Sequence, residues 1–138
     1  MTTADLTPAE LAKYIDHTAL KAETSAEDIR RVLAEALQAN VKSVCVNPRW
    51  VPTVAQALEG SDVLTCTVIG FPLGANSSAV KAFEARQAIA DGADEVDMVI
   101  DVAAARAGDR QRLVEDIRAV AEACLLYTSD AADDLLCV

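Results

Sequence analysis

The alternation of short Val/Ile-rich runs with longer amphipathic segments is the feature that most constrains the fold of this chain. Four such runs predict β-strands over residues 14–16, 41–46, 63–69 and 95–100. Parallel strands joined by a crossover helix repeat at roughly 30 residues, whereas hairpin strands need only a short turn between them. The spacing of the runs therefore predicts βα units and a parallel sheet.

Four segments with helical periodicity complete these units, over residues 25–39, 50–58, 77–91 and 110–124. Ser25 followed by Asp28 three residues later resembles a capping box at the start of the first segment. The predicted apolar stripes are Ile29, Val32, Leu33, Ala36 and Leu37 in the first segment, Ala79, Ala82, Phe83, Ile89 and Ala90 in the third, and Leu113, Ile117, Val120, Ala121 and Cys124 in the fourth.

Two parallel architectures compete for this pattern: a doubly wound open sheet and a (β/α)8 barrel. The open sheet usually carries G-x-G-x-x-G after its first strand, and here the residues from His17 to Lys21 contain no glycine. We therefore favour the α/β class with a (β/α)8 TIM barrel. Such a barrel needs about 250 residues in eight units. This chain predicts about four βα units, which is a truncated half-barrel.

The charge balance excludes several classes of partner. The chain has 12 Lys and Arg against 22 Asp and Glu, a formal net charge of −10. Nucleic acids and anionic membranes attract the opposite charge, so neither is an expected partner. No stretch approaches the roughly 20 apolar residues of a membrane span, and the start of the chain lacks the pattern of a signal peptide. We expect a cytoplasmic protein.

The potential metal ligands do not follow a recognised local spacing. The four cysteines contain no C-x-x-C pair, and His17 is the only histidine. His17 alone is more often a structural residue than a ligand. The acidic residues from Asp91 to Asp101 lack the loop spacing of a calcium site, and a solvated loop edge around Asp91 and Asp94 is the better explanation. We therefore expect no metal and no cofactor.

Asp97 is the strongest candidate for chemistry. It lies inside the predicted strand 95–100, where the two-residue period places it on the same face as Glu95 and Val99. Burying a carboxylate is costly unless it is paired or protonated, so a carboxylate in a strand is often retained for proton transfer. The alternative is a strand-end aspartate that is exposed to solvent or caps a loop.

Asp16, Thr18 and Cys45 are weaker candidates. Asp16 ends the first predicted strand and Thr18 follows it, where the active-site residues of a barrel lie, but their oxygens also suit a simple turn. Cys45 stands between two valines, and core packing is its simplest interpretation.

The chain changes character after Cys124. Residues 125–138 offer neither a short polar loop nor a Val/Ile-rich strand for a fifth unit. They resemble the translated adapter sequence found at the ends of truncated reading frames, although a natural polar extension is the alternative. We expect a barrel half over residues 1–124 and a non-native tail over 125–138.

Four motifs resemble those of the deoxyribose-phosphate aldolase family. They are Y-I-D-H-T-A-L-K at 14–21, V-C-V-N-P at 44–48, C-T-V-I-G-F-P-L-G-A-N at 66–76 and G-A-D-E-V-D-M-V-I at 92–100. Their order and spacing match those of the N-terminal half of the family. The resemblance covers residues from about 8 to 124.

The resemblance implies a (β/α)8 barrel and a metal-independent lyase of the class I, Schiff-base type. Such an enzyme reversibly cleaves 2-deoxy-D-ribose 5-phosphate to acetaldehyde and D-glyceraldehyde 3-phosphate, in deoxyribonucleotide catabolism. Asp97 corresponds to the family's proton donor and acceptor. Asp16, Thr18 and Cys45 correspond to residues that line the substrate end of the barrel.

The resemblance also identifies what these 138 residues do not contain. The family's Schiff-base lysine lies in a K-T-S-T-G-F motif, and none of the four lysines here, Lys13, Lys21, Lys42 and Lys81, has that context. Two main hypotheses follow: the chain is part of a deoxyribose-phosphate aldolase, or it is an inactive half-barrel that self-associates through its open edges. A third, another phosphate-sugar enzyme on the same fold, holds only if the motif matches mislead. A homo-oligomer is compatible with both main hypotheses.

Overall fold

A computed structural model describes residues 5–127 and 136–137 of the chain. The strands are β1 (Asp16–Ala19), β2 (Ser43–Val46), β3 (Leu64–Ile69), β4 (Glu95–Met98) and β5 (Leu136–Cys137). The helices are α1 (Pro8–Ala12), α2 (Ala26–Ala39), α3 (Val51–Leu58), α4 (Ser78–Ala90), α5 (Val102–Ala107) and α6 (Arg110–Tyr127), with a 3₁₀ turn at Pro48–Trp50 before α3.

The strands form one parallel sheet in the order β1-β2-β3-β4-β5. Thr18 lies opposite Cys45, Cys45 opposite Cys66, and Cys66 opposite Glu95, so the four long strands are in continuous register. Helices connect consecutive neighbouring strands, which is the βα arrangement of a TIM-barrel-type fold. The prediction of a parallel α/β half-barrel with four βα units is confirmed.

The core lies between the sheet and the helices on its outer face. Val44, Val46, Ile69 and Val96 point outward from the strands and are buried against these helices. The residues of α2 that face them are Ile29, Val32, Leu33 and Ala36, as the periodicity predicts, whereas Leu37 is 44% exposed. The predicted capping box forms, with Ser25 and Asp28 bonded reciprocally.

The first strand begins later than the sequence predicts. Tyr14 and Ile15 form a turn after α1, because their backbone N–H groups donate to the carbonyl groups of Leu11 and Ala12. The Tyr14 side chain is 73% exposed. Asp16 therefore starts β1, whereas the prediction placed it at the strand's end.

The apolar stripe predicted for α4 is only partly right, since Ala82 is buried and Ile89 packs against the core but Phe83 does not. Phe83 is 63% exposed and Val80 is also exposed, whereas Lys81, Ala82, Ala85 and Ala88 are buried. Alanines allow the helix to approach its neighbours closely, and Lys81 is buried because it has an ionic partner in α6. In α6 the stripe is partly right, since Val120 and Cys124 are buried but Ile117 is exposed.

Two short helices, α1 and α5, have no counterpart in the predictions. Both begin at a side-chain cap, Thr7 for α1 and Asp101 for α5. Helix α6 runs past the predicted boundary at Cys124 to Tyr127, and Leu136–Cys137 of the predicted tail pairs with β4. Residues 128–135 and 138 of that tail lie outside the described residues. No helix in the described part is long and apolar enough to cross a membrane.

Candidate active site

The inner face of the sheet carries the polar and thiol side chains that point away from the helices. Strand alternation places Asp16 and Thr18 of β1, Ser43 and Cys45 of β2, Cys66 and Val68 of β3, and Glu95 and Asp97 of β4 on this face. All four predicted site residues, Asp16, Thr18, Cys45 and Asp97, therefore share one face. Their roles in catalysis remain predictions.

Asp97 lies near the carboxyl end of β4 and is half-buried. Its Oδ2 atom is 3.7 Å from Sγ of Cys66. Burial raises the pKa of Asp97 above its ordinary value, and the charge of Asp16 raises it further, while hydrogen bonds with Cys66 and Glu95 act in the opposite direction. A carboxyl group with a raised pKa can both hold and release a proton closer to neutral pH.

Glu95 is a second acidic group on this face, and it is more buried than Asp97. Its Oε2 atom lies 3.5 Å from Nζ of Lys42, and among the described residues this oxygen has no hydrogen-bond partner. Burial raises the pKa of Glu95, against the lowering effect of the Lys42 ammonium group. The sequence placed Glu95 on the face of Asp97, but gave no reason to assign it a role.

Two free thiols, Cys45 of β2 and Cys66 of β3, lie side by side on neighbouring strands. Both are buried, and with Val68 they form a small apolar cluster separate from the main core. A hydrogen bond with Cys45 and burial both raise the pKa of the Cys66 thiol. The interpretation of Cys45 as a packing residue agrees with its burial, but it packs on the inner face and beside a second thiol.

Asp16 and Thr18 make local hydrogen bonds. Oδ1 of Asp16 accepts from the Ser43 hydroxyl at 2.6 Å, and the Thr18 hydroxyl donates to the carbonyl of Asp16 at 2.8 Å. Both residues are exposed on the inner face. Asp16 lies at the amino end of β1. Thr18 is nearer the carboxyl end of this strand, which is where the active sites of TIM barrels lie.

His17 points to the opposite face, as its structural interpretation implies. Its Nε2 atom lies 2.7 Å from Oε2 of Glu35 in α2. Asp94, at the predicted loop edge, accepts a hydrogen bond from the backbone N–H of Thr65. Neither residue belongs to the inner-face cluster.

A cavity of about 310 Å3 lies beside the carboxyl end of β1 and the start of α2. Its lining includes Thr18, Lys21, Thr24 and Arg31. Thr18 is the single predicted site residue among its lining residues, and Asp97 is not one of them. The cavity therefore adjoins the inner face, but Glu95 and Asp97 are not among its lining residues.

A buried ion pair supports the loop after β3, and no pattern in the sequence predicts it. Lys81 Nζ donates to Oδ2 of Asp116 at 2.7 Å, and both side chains are 0% exposed. Asp116 also accepts hydrogen bonds from Ser78 and from the backbone N–H of Asp101. The Lys81 methylenes pack against Gly70, where a Cβ atom would lie 3.0 Å from Cε.

The parallel sheet, the outer helices and the acidic inner face define half of a TIM-barrel-type protein. The sequence matches the DeoC/LacD family aldolases over residues 10–128. It is 77% identical over 121 residues to the deoxyribose-phosphate aldolase of Micrococcus luteus, covering 88% of this chain and 53% of that protein.

Two solved structures share the fold. A putative deoxyribose-phosphate aldolase from Coccidioides immitis aligns with a TM-score of 0.84 and 34% identity, over 95% of this chain and 49% of that one. A tetrameric deoxyribose phosphate aldolase from Aeropyrum pernix aligns with a TM-score of 0.79 and 27% identity, over 88% and 50%.

The family is therefore established on both sequence and fold. The chain belongs to the DeoC/LacD family of aldolases. It spans about half the length of the curated relatives it matches.

Proposed function

We propose that this chain supplies the N-terminal half of the barrel of a deoxyribose-phosphate aldolase, a lyase acting on a sugar phosphate. The observation that carries the proposal is the half-buried carboxyl of Asp97 beside Glu95 on the inner face, in a chain 77% identical to the Micrococcus luteus aldolase. The substrate is 2-deoxy-D-ribose 5-phosphate and the products are acetaldehyde and D-glyceraldehyde 3-phosphate.

Asp97 acts as the proton carrier in this proposal. A lysine amine adds to C1 of the sugar, and the Asp97 carboxylic acid protonates the resulting carbinolamine hydroxyl, which leaves as water. On the iminium ion that remains, the C3 hydroxyl loses its proton to a base, the C2–C3 bond breaks to release D-glyceraldehyde 3-phosphate, and the electrons of that bond form an enamine on the lysine. Protonation at C2 and hydrolysis then release acetaldehyde and regenerate the amine.

The lysine is assigned to the other half of the barrel. Lys81 is buried in its pair with Asp116, and Lys42 lies against Glu95. Lys13 and Lys21 are exposed outside the strands. A Schiff-base lysine needs a neighbouring cation or an apolar site to lose its proton at neutral pH, and Lys13 and Lys21 lie outside the inner-face cluster.

A chimera tests this division of roles. Residues 1–124 of this chain, fused to the remaining half of the Micrococcus luteus relative, should cleave the deoxysugar phosphate. Borohydride added during turnover should trap one substrate-derived mass adduct on the chimera. A soluble, folded chimera without activity and without an adduct would contradict the proposed function.

The chain alone is the control for that experiment. We expect neither cleavage nor a trapped adduct, because its four lysines are in the wrong positions. An adduct on this chain would overturn the assignment of the nucleophile to the other half, while leaving the aldolase chemistry in place.

The same proposal has consequences for where the enzyme acts in the cell and for which residues form its half-barrel. A sugar phosphate is ionised and does not cross a lipid bilayer unaided, so we place the enzyme in the cytoplasm, in the breakdown of deoxyribonucleotides. Nucleic acid and membrane are not among its proposed partners, in line with the net charge of −10. We propose residues 1–124 as the functional half-barrel, with 125–138 outside it.

Self-association is the second candidate property, and the open edge of the sheet favours it. β1 pairs with β2 on one side, and the order of the described strands leaves its other side unpaired. Asp16 and Thr18 beside this edge are exposed, as is Leu73 in the loop after β3. An unpaired edge is a template for a strand of another chain. The relative from Aeropyrum pernix is tetrameric, and we extend homo-oligomerisation to the complete enzyme.

Light scattering over a concentration series measures this association. The average mass of the chain should rise with concentration, and amide hydrogen exchange in Asp16–Ala19 should slow in parallel, because a second chain covers these groups. A constant monomer mass would contradict self-association. A rising mass without protection of β1 would contradict its assignment to this edge.

A further inference from the structure

Three adjacent strands bring two thiols and a carboxylate together on the inner face. One donor atom each from Cys45, Cys66 and Asp97 lies within 4.8 Å of the other two. Cys45 and Cys66 are opposite each other in the β2–β3 register, and Asp97 follows Glu95, the β4 partner of Cys66, by one inward-facing position. Local sequence spacing does not reveal this cluster, because the parallel register creates it.

The distances suit a tetrahedral metal ion. A Zn2+ ion with sulfur ligands at about 2.3 Å and oxygen ligands at about 2.0–2.2 Å separates neighbouring sulfur and oxygen atoms by about 3.6 Å. Sγ of Cys66 lies 3.7 Å from Oδ2 of Asp97 and 3.9 Å from Oε1 of Glu95. The ligand atoms therefore need only small movements to share one ion.

Glu95 provides a second, independent indication of a cation. Its side chain is 4% exposed, and its Oε2 atom has no hydrogen-bond partner among the described residues. The Lys42 ammonium group, with Nζ 3.5 Å from Oε2, compensates part of the Glu95 charge. The Lys42 side chain is 38% exposed, so solvent screens this attraction. A divalent cation beside Glu95 would stabilise the buried carboxylate directly, as fourth ligand or through a water.

We propose that Cys45, Cys66 and Asp97 form a binding site for one thiophilic divalent cation of the Zn2+ class. Two sulfur ligands select such an ion over Mg2+ and Ca2+, which prefer oxygen ligands alone. On binding, each thiol releases its proton to solvent and donates a sulfur lone pair, and no redox step is involved. The site rests on the geometry of the strands and is independent of the proposed aldolase activity.

The ion would also be coordinated by the carboxylate of Asp97. A metal-bound Asp97 cannot exchange a proton with a substrate, so the ion acts as a reversible blocking ligand. This consequence links the site to regulation by available zinc, and it requires no metal in the aldolase reaction.

Cobalt provides the spectroscopic test, with the reduced chain under anaerobic conditions. Co2+ should bind one ion per chain, with a thiolate-to-cobalt charge-transfer band and the intense visible bands of tetrahedral coordination. Zn2+ should bleach these bands, and excess Mg2+ should not. Cys45→Ser and Cys66→Ser should each weaken Co2+ binding by more than about tenfold and reduce the charge-transfer band.

Thr65→Ser is the matched control, because Thr65 lies on the outer, helix-facing side of β3 and is the sequence neighbour of Cys66. This variant should bind Co2+ as the unaltered chain does. Far-UV circular dichroism establishes that each variant is folded. A folded chain with no charge-transfer band, or a band that survives in both serine variants, would overturn the proposal. In the chimera, Zn2+ should inhibit cleavage and a chelator should restore it, and inhibition without the cobalt bands would place zinc elsewhere.

Discussion

Asp97→Asn in the chimera should lower kcat for deoxysugar-phosphate cleavage by roughly 100- to 10,000-fold, the range in which a positioned general acid or base contributes. Asparagine has nearly the same shape but cannot take up or release a proton. KM should change little, because the variant removes a proton carrier and leaves the substrate's other contacts in place. Steady-state kinetics over a range of substrate concentrations measures both quantities.

Asp62→Asn is the matched control, since Asp62 is an exposed aspartate before β3, outside the inner face. It should retain the activity of the chimera. If Asp97→Asn kept kcat within tenfold of the unaltered chimera, the role of Asp97 as proton carrier would be refuted.

The pH profile gives an independent readout. Burial and the charge of Asp16 raise the pKa of Asp97, so the limb of the rate profile that depends on this group should lie above the ordinary range of aspartate. Asp16→Asn removes a negative charge that favours the protonated form, and should move that limb to lower pH. A limb that stayed fixed in Asp16→Asn would show that the two carboxyl groups are not electrostatically coupled.

The local patterns in the sequence predicted much of the fold because they depend on short-range physics. The Ser25–Asp28 capping box forms as read, since both partners lie within one helical turn. The two-residue strand period correctly put Asp97 and Glu95 on one face, opposite Val96 and Met98. The absence of glycine after the first strand correctly favoured the barrel type over the open sheet.

The errors arose where contacts between elements that are distant in the sequence decide which residues are buried and where a strand begins. The periodicity predicts Phe83 on the buried side of α4, but Phe83 is exposed, and Lys81 is buried because Asp116 of α6 neutralises its charge. Asp16 starts β1 because the preceding residues complete a turn with α1. Cys45 and Cys66 lie on separate strands, and their contact follows from the sheet register, which short-range periodicity does not specify.

Asp116→Ala should lower the free energy of unfolding by about 3–5 kcal/mol, the cost of leaving one member of a buried ion pair without its partner. The substitution leaves the Lys81 ammonium group without an ionic partner in a site with 0% exposure. It also removes the acceptor for the Ser78 hydroxyl and for the backbone N–H of Asp101. Urea unfolding followed by circular dichroism measures the change.

This loss is a large fraction of the total stability of a typical domain, so the variant chain should unfold at a much lower urea concentration. Lys81→Met combined with Asp116→Leu separates the charge effect from a packing effect. It removes the unpaired charge and fills the space with apolar atoms, and should recover most of the lost stability. Failure of the double variant to recover would show that the hydrogen bonds of Asp116 to Ser78 and Asp101 dominate instead.

Arg31→Ala provides the matched control for an ion pair in water. Arg31 and Asp28 form an exposed pair on α2, where solvent screens the attraction, so the urea midpoint should barely move. The contrast between the two pairs follows from burial, because the Coulomb energy and the desolvation cost both grow as water is excluded. If Asp116→Ala shifted the midpoint no more than Arg31→Ala does, the Lys81–Asp116 pair would not be what anchors α4 to α6 and holds Lys81 against Gly70.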